Sequence, residues 1–446
     1  MTDVATTAAR PSGQGTTRAG RVQARRAPAI ARARAIASVL DARPSELELS
    51  VRPNLERIVP VRTTGRRVLS AVGLFAGVGG IERGLAAAGH RALMLCEIEP
   101  TARAVLDHRF PDIEKHDDVR TLRDLPEGTQ LLAGGFPCQD LSQAGQTAGI
   151  DGMRSSLVRD ALRLAARAKV PWLLLENVPF MLQLGRGRAL EVIVGALEEL
   201  GYKWAYRVVD ARAFGLPQRR QRVFLVASLE DDPRAVLFAD EAGAPPELDP
   251  LGHACGFYWT EGIRGLGWAV NAVPTLKGGS TVGVPSPPGV WLPDGRIVTP
   301  TLEDAERLQG FTRGWTKAAE AKGKRGFRWK LVGNAVSVPA FKWIGRRLAK
   351  PGDIILRNES PVKGGRMWPR AAFNVGAGRF SNDLSAWPER VAGPALADFI
   401  DQDAPLLSRR ATAGFLARAE QGSLHFPRGF ITAVKAHLRR MEREEA

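Results

Sequence analysis

Cysteine is scarce in this chain: three among 446 residues, at Cys96, Cys138 and Cys255. Three thiols cannot build a disulfide framework, and these lack the spacing of a zinc site, so no structural metal is expected and a reducing cytosol is the matching compartment. No apolar run reaches the roughly 20 residues that cross a bilayer, and no apolar signal-peptide core stands near the start; no membrane partner is expected. Acidic residues are also in deficit, 47 Asp and Glu against 63 Lys and Arg, giving a net charge of +16. Between Val4 and Leu40 there is no acid at all, only Arg10, Arg18, Arg21, Arg25, Arg26, Arg32 and Arg34. Such a surplus favours a polyanionic partner, most simply nucleic acid. An Arg- and Ala-rich composition of the kind GC-rich genomes produce gives the same total, so charge gains weight only when motifs agree with it.

The chain is 44% hydrophobic and 25% charged, ordinary for a globular protein, and its length suits two or three domains. Residues 1–66 read as a basic, partly disordered extension with one Ala-rich helical stretch between Ala27 and Leu40. From Arg67 the pattern alternates strand and helix. Strands are predicted at Val68–Leu74, Ala92–Glu97, Trp172–Leu175, Tyr206–Val209 and Val223–Ala227. Helices are predicted at Ile81–Ala88, along the Leu157–Ala168 stripe and along the Leu190–Leu200 stripe. This alternation implies an α/β fold with a doubly wound, mostly parallel sheet over 67–228. Residues 229–325 are rich in Gly and Pro and read as a smaller irregular domain. A loop and apolar helix over 326–350 return to the first domain, and 351–446 form a C-terminal extension that ends on a helical stripe of Phe430, Val434, Leu438 and Met441.

Three stretches carry chemistry. Phe75-Ala76-Gly77-Val78-Gly79-Gly80 joins the first strand to the first helix, where glycines let backbone approach a ligand and the helix offers free N–H groups. A dinucleotide fingerprint would place its third glycine at Glu82, so an NAD site is a poor fit. Glu97 ends the second strand, a position from which a carboxylate accepts hydrogen bonds from ribose hydroxyls. The third stretch is Gly134-Gly135-Phe136-Pro137-Cys138-Gln139-Asp140-Leu141-Ser142, a stiff loop that presents one thiol just past a strand. Such a thiol is a nucleophile or a buried spectator on local chemistry alone.

The string F-P-C-Q-D-L-S resembles the nucleophile loop of DNA (cytosine-5) methyltransferases of the bacterial restriction-modification type. L-F-A-G-V-G-G resembles the S-adenosylmethionine loop of the same family, with Gly73 where the family often has Asp. Glu176-Asn177-Val178, Gln218-Arg219-Arg220-Gln221-Arg222, Glu306-Arg307-Leu308-Gln309-Gly310-Phe311 and Gly333-Asn334-Ala335-Val336-Ser337-Val338-Pro339 resemble its later motifs, in its usual order. Arg154 and Ser155 in G-M-R-S-S-L match another. The resemblance runs from about Val68 to Leu348 and covers neither extension.

The resemblance implies a Rossmann-like catalytic domain with a target-recognition domain, acting on double-stranded DNA with S-adenosyl-L-methionine. Cys138 would add to C6 of a flipped cytosine, making C5 nucleophilic enough to take a methyl group. Glu176 would hold N3 and the exocyclic amine, Arg222 would reach the cytosine O2, and Arg220 would stand by the loop near the flipped base. Phe75, Gly77, Gly79, Gly80, Glu97, Ile98, Asp118, Val119, Pro137, Asn334 and Val336 would form the cofactor pocket, with Asp117 able to take the place of Asp118. Gln139, Ser142, Arg220, Lys277, Ser280 and Arg307 are the expected DNA contacts. A cytoplasmic, nucleoid-associated monomer with a companion restriction endonuclease is the expected setting. Two alternatives remain open on the sequence: an RNA cytosine-5 methyltransferase and an inactive DNA-binding regulator. An adenine amino-methyltransferase would need an acidic or amide residue before Pro-Pro-aromatic, and Ser286-Pro287-Pro288-Gly289 lacks the aromatic.

Overall fold

The computed structural model describes residues 56–61, 65–136, 157–278, 285–364 and 367–445. A short strand β1 (Glu56–Val59) precedes β2 (Ser70–Leu74), whose five residues are all buried. Helix α1 (Gly80–Ala87) leads to β3 (Arg91–Cys96), and α2 (Pro100–Arg109) to β4 (Glu114–His116). The chain then recrosses to β5 (Leu131–Gly135), followed by α3 (Leu157–Ala168), β6 (Trp172–Asn177), α4 (Arg188–Glu199), β7 (Lys203–Asp210), β8 (Gln218–Arg219) and β9 (Gln221–Ser228). In the sheet these strands lie in the order β7-β9-β6-β5-β2-β3-β4. From β4 to β6 every pair is parallel, while β9 runs antiparallel to both its neighbours.

Strands buried on both faces are apolar along their whole length, which explains Leu131-Leu132-Ala133 and Trp172-Leu173-Leu174-Leu175. One face packs Val72, Leu74, Leu132 and Leu173 against Ala161 and Leu164 of α3 and Leu190 and Ile193 of α4. The other packs Ala71, Leu131 and Leu174 against Ile81 and Leu85 of α1 and, from a later helix, Phe341, Ile344 and Leu348. Strand order reverses between β2 and β5, which opens a crevice at their carboxyl ends. The loop after β2 and the loop after β5 both emerge there.

Helix α5 (Arg234–Leu237) corrects the expected boundary at 229. Ala235, Val236, Leu237 and Phe238 are buried in the second face of the large sheet, so this turn packs with that sheet and not with the smaller domain. The smaller sheet begins at β10 (Cys255–Phe257), with β11 (Trp268–Val270), β12 (Val273–Pro274), β13 (Gly289–Trp291) and β14 (Ile297–Val298). Its order is β11-β10-β13-β14, and β12 pairs instead with β8, tying the two regions together. Gln218 of β8 reinforces this seam: its amide donates to the Leu308 carbonyl at 2.8 Å and accepts from the Leu276 N–H at 3.1 Å.

The chain returns through α6 (Leu302–Leu308), α7 (Gly326–Asn334) and α8 (Val338–Ala349). Helices α1 and α8 approach closely because small residues face each other. A Cβ at Gly84 would lie 2.6 Å from that of Phe341 and 2.8 Å from the Val338 carbonyl, and one at Gly345 would lie 2.7 Å from Ala88.

The expected C-terminal extension is two things. Strands β15 (Ile354–Arg357), β16 (Ser360–Pro361), β17 (Ala371–Asn374) and β18 (Arg379–Ser381) complete the catalytic part: β15 pairs with β1, and β17 adds antiparallel to β7, covering an otherwise open edge. Helix α9 (Leu396–Phe399) joins the core beneath α6. Helices α10 (Arg409–Gln421) and α11 (Phe430–Glu445) pack on the smaller sheet, where Phe430 meets Phe257, Trp268, Trp291 and Phe415. The stripe of Phe430, Val434 and Leu438 thus completes the core of the smaller sheet.

Candidate active site

At the carboxyl edge of the sheet, Glu176 ends β6 directly beside Gly135 of β5 and opposite Phe224 of β9. Its carboxylate leans over Gly135, where a Cβ would stand 3.1 Å from Oε2; glycine there leaves room for the acid. Arg222, near the start of β9, brings Nε to 2.9 Å from Glu176 Oε1. The pair is at ion-pair distance without the alignment of a hydrogen bond, so Oε1 keeps its accepting capacity. Both side chains are about nine-tenths buried, which strengthens the attraction and sharpens the cost of separating them. Asn177 fastens the next loop, donating from Nδ2 to the Phe136 carbonyl at 3.1 Å and accepting from the Val178 N–H. Glu176, Arg222 and the strand that leads to Cys138 therefore converge on one edge. Pro137, Cys138, Gln139 and Ser142 themselves, with Arg154, Ser155 and Ser280, lie outside the described residues.

The other two thiols are packing residues. Burial, with Glu97 next in effect, pushes Cys96 up to about 12, and burial pushes Cys255 up to about 11, so neither supplies thiolate at neutral pH.

Beside this edge lies the Gly-rich turn. Phe75 holds a left-handed backbone with φ 55°, an unusual state for a bulky residue that marks a constrained turn. Gly77 also has positive φ and donates its N–H to Glu97 Oε2 at 2.7 Å, while Glu97 Oε1 accepts from the Glu99 N–H at 2.8 Å. Each carboxylate oxygen still has accepting capacity for a hydroxyl donor. Ile98, the next residue, is 57% exposed, an apolar face left open at a strand end. Gly79 and Gly80 have a packing reason as well: the ring of Phe110 fills the place of one Cβ, and Val336 stands 2.7 Å from the other. Val119 is buried in the core behind the site. Asp118 is held bidentately by Arg120, which draws its carboxyl below the usual range, while the more exposed Asp117 pairs with Arg103. Asn334 is exposed beside Gly278, and Val336 reaches toward both Gly80 and Gly135. These residues fit an adenosine-bearing ligand: an acid for the ribose, an open apolar face for the base and a glycine turn for close approach.

Glu82 is the group the sequence reading passed over. It projects from the first turn of α1 onto Gly73, taking the space a side chain there would fill. Gly73 thus leaves room for a carboxyl from the facing helix. Burial, with a smaller push from Glu97, raises it to about 7, and neither oxygen has a hydrogen-bond partner. A Glu set between Ile81 and Leu85 on the core face of the helix was the available signal.

Of the expected DNA contacts, Arg220 and Arg307 make bonds within the protein, while Lys277 is exposed and carries a surface ion pair. Arg220 is 2% exposed and donates to the carbonyls of Ala335 (2.6 Å) and Gly333 (3.4 Å). Burial, together with the Arg222 charge, pushes its pKa well below the usual guanidinium value. It clamps the loop between α7 and α8 and is sealed from any duplex. Arg307 donates to Asp304, the Phe399 carbonyl and Asp401, and lies over the Phe399 ring; it braces the recognition region from within. Lys277 bridges Glu261 across the face of Tyr258. The string holding Arg307 has a structural logic through Glu306, which accepts from the Trp315 and Thr316 N–H groups and from Arg328.

Comparison with known proteins agrees with this geometry. Residues 69–248 match the family described as C-5 cytosine-specific DNA methylase. The chain is 47% identical over 381 residues to Type II methyltransferase M2.BsuMI of Bacillus subtilis (strain 168), covering 82% of this chain and 97% of that protein. It is 36% identical over 204 residues to Type II methyltransferase M.NgoBV of Neisseria gonorrhoeae, covering 40% of this chain and 48% of that one. Among solved structures, a Schizosaccharomyces pombe Dnmt2 methyltransferase aligns over 63% of this chain and 98% of its own, at 18% identity and TM-score 0.48. The chain belongs to the C-5 cytosine-specific DNA methylase family. It is a DNA (cytosine-5)-methyltransferase, with the α/β fold of that class.

Proposed function

We propose that this enzyme methylates C5 of a cytosine turned out of a specific duplex sequence, through a covalent bond between Cys138 and C6. The reading rests on one observation above all, the Glu176–Arg222 pair beside Gly135, on the strand that runs into the Cys138 loop. The Cys138 thiolate adds to C6. Glu176 accepts from the exocyclic amine and shares a proton with N3, Arg222 steadies that acid and neutralises charge at O2, and as the sulfur lone pair forms the C–S bond the displaced C5=C6 π pair gathers at C5. S-adenosyl-L-methionine, when bound, supplies an electrophilic methyl group on a sulfonium. Loss of the C5 proton and expulsion of the thiolate restore the ring. Glu97 takes the ribose, Ile98 supports the adenine, and Phe75 and Gly77 to Gly80 enclose the methionine end. Asp118 takes the adenine amine, and Val336 and Asn334 close the pocket from the α7–α8 loop.

The enzyme acts as a monomer, and a Type II modification role beside a companion restriction endonuclease follows from its similarity to M2.BsuMI. Nucleoid association follows from its charge of +16. Purified enzyme given labelled S-adenosylmethionine should methylate duplex DNA and leave transfer RNA unlabelled, with bisulfite sequencing placing the mark at one cytosine of a fixed word. Labelling of transfer RNA alone would overturn the DNA assignment.

A further inference from the structure

With Arg220 buried, Arg307 paired to Asp304 and Asp401, and the exposed Lys277 paired to Glu261, the duplex calls for further cations. Between Arg313 and Lys330 the chain carries seven cationic side chains, Arg313, Lys317, Lys322, Lys324, Arg325, Arg328 and Lys330, against a single acid, Glu320. The fold commits that acid, itself exposed, to Arg328. Arg328 is buried and takes Glu320 at 2.7 Å together with Glu306 at 3.0 Å, and Arg313 is satisfied by Asp401. Five cations remain, all exposed, with no acid within ion-pair distance among the described residues: Lys317, Lys322, Lys324, Arg325 and Lys330. Phe327, in their midst, is 43% exposed. From the same segment they face Glu320, which is bonded to Arg328 and feels the charges of Arg325 and Lys317, and the exposed Arg313, which is paired with Asp401.

The position of this ridge ties it to the catalytic edge. At one end Gly323 packs on Thr101, three residues past the open face of Ile98. In the middle Gly326 faces Pro285, where the chain re-enters the smaller domain. At the other end the Lys330 carbonyl and Asn334 border Gly278, and α7 runs straight into the loop clamped by Arg220. The segment thus touches α2 at one end, the smaller domain in its middle, and at the other leads into the α7–α8 loop, whose Val336 reaches Gly135 beside Glu176.

We propose that Lys317, Lys322, Lys324, Arg325 and Lys330 form the rail that grips the phosphate backbone of the duplex and fixes its register over the site. The proposal rests on the DNA reading above and deepens it. Mutually repelling cations left unneutralised on one ridge are stabilised by a polyanion that releases its condensed counterions, and each phosphate so neutralised adds about 0.9 to the slope of log affinity against log salt. Phosphate contacts position without reading sequence, so the rail sets affinity and register while base choice stays with the smaller domain.

The test compares the full-length enzyme with a Lys322→Ala/Lys324→Ala/Arg325→Ala variant, and with Lys330→Ala alone, by anisotropy on a labelled duplex and on transfer RNA between 50 and 200 mM salt. The triple variant should lower the duplex slope by roughly 2 to 3, so that its loss of affinity across that salt range shrinks about 40-fold relative to the parent; the single variant should lower it by about 1. Thermal melting and S-adenosylmethionine binding, which do not use the ridge, should match the parent and show that the fold is kept. Unchanged duplex slopes in both variants would overturn the proposal, as would a slope change seen on transfer RNA and not on the duplex. Either result stands apart from the methylation reading, which depends on whether the parent enzyme marks DNA at all.

Discussion

Exchange of Glu82 for glutamine tests whether the turn beneath the Gly-rich loop stores electrostatic cost. The carboxyl is fully buried, its oxygens are unpartnered, and its pKa rises from 4.5 to about 7. The folded protein therefore binds this proton more tightly than the unfolded chain does. Below pH 4.5 the group costs nothing as a charge. As pH climbs to 7 a penalty accumulates, reaching about 3 kcal/mol, the shift multiplied by about 1.36 kcal/mol per unit. Glutamine keeps the shape and cannot ionise. Urea unfolding of cofactor-free enzyme should show the Glu82→Gln protein gaining about 3 kcal/mol on the parent between pH 5 and pH 8, with the divergence centred between 4.5 and 7. Parallel pH profiles for the two proteins would refute the reasoning, since they would mean that Glu82 is solvated or paired.

Other consequences follow from particular contacts. Glu176→Gln should lower kcat by at least 100-fold while S-adenosylmethionine affinity changes less than threefold, read by single-turnover methyl transfer and calorimetry, because the acid meets only the base. Arg222→Ala leaves Glu176 as a buried charge without its cation and should both slow turnover and destabilise the fold by about 3 kcal/mol, measured in urea. Gly84→Ala should lower the melting temperature: about 1 kcal/mol of helix propensity is gained, but a methyl 2.6 Å from Phe341 and 2.8 Å from a backbone carbonyl of α8 costs about 1–3 kcal/mol and cannot relax by side-chain rotation.

Local patterning carried much of the catalytic part. The strand predicted at Val223–Ala227 is Gln221–Ser228, and the helix predicted at Ile81–Ala88 is Gly80–Ala87, because continuous apolar runs and Gly punctuation have few other solutions. What the sequence concealed was long-range. Ala371–Asn374 has no alternation to announce a strand; it exists because β7 offers an unpaired edge. Pro100–Arg109 escaped notice for a related reason, its apolar face being only Ala102, Val105 and Leu106. The stripe on α11 was visible, but not that its partner is the smaller sheet some 170 residues away, with Phe257 against Phe430. In the site, Glu176 and Arg222 were legible because each sits at a strand end and the motif orders them. The inward bonds of Arg220 and Arg307 were not legible, because an arginine in a motif looks the same whether it faces phosphate or buried carbonyls; the number of acceptors awaiting it is fixed only by the fold.

The covalent step is tested most directly with a duplex carrying 5-fluorocytosine at the methylated position, incubated with enzyme and S-adenosylmethionine and resolved under denaturing conditions. Fluorine at C5 cannot leave as a proton does, so the adduct cannot collapse. A stable protein–DNA species with the parent enzyme, absent from Cys138→Ala, is the predicted result. An adduct that survives the loss of Cys138, or methylation of ordinary duplex by an enzyme that never traps on the fluorinated one, would contradict the account.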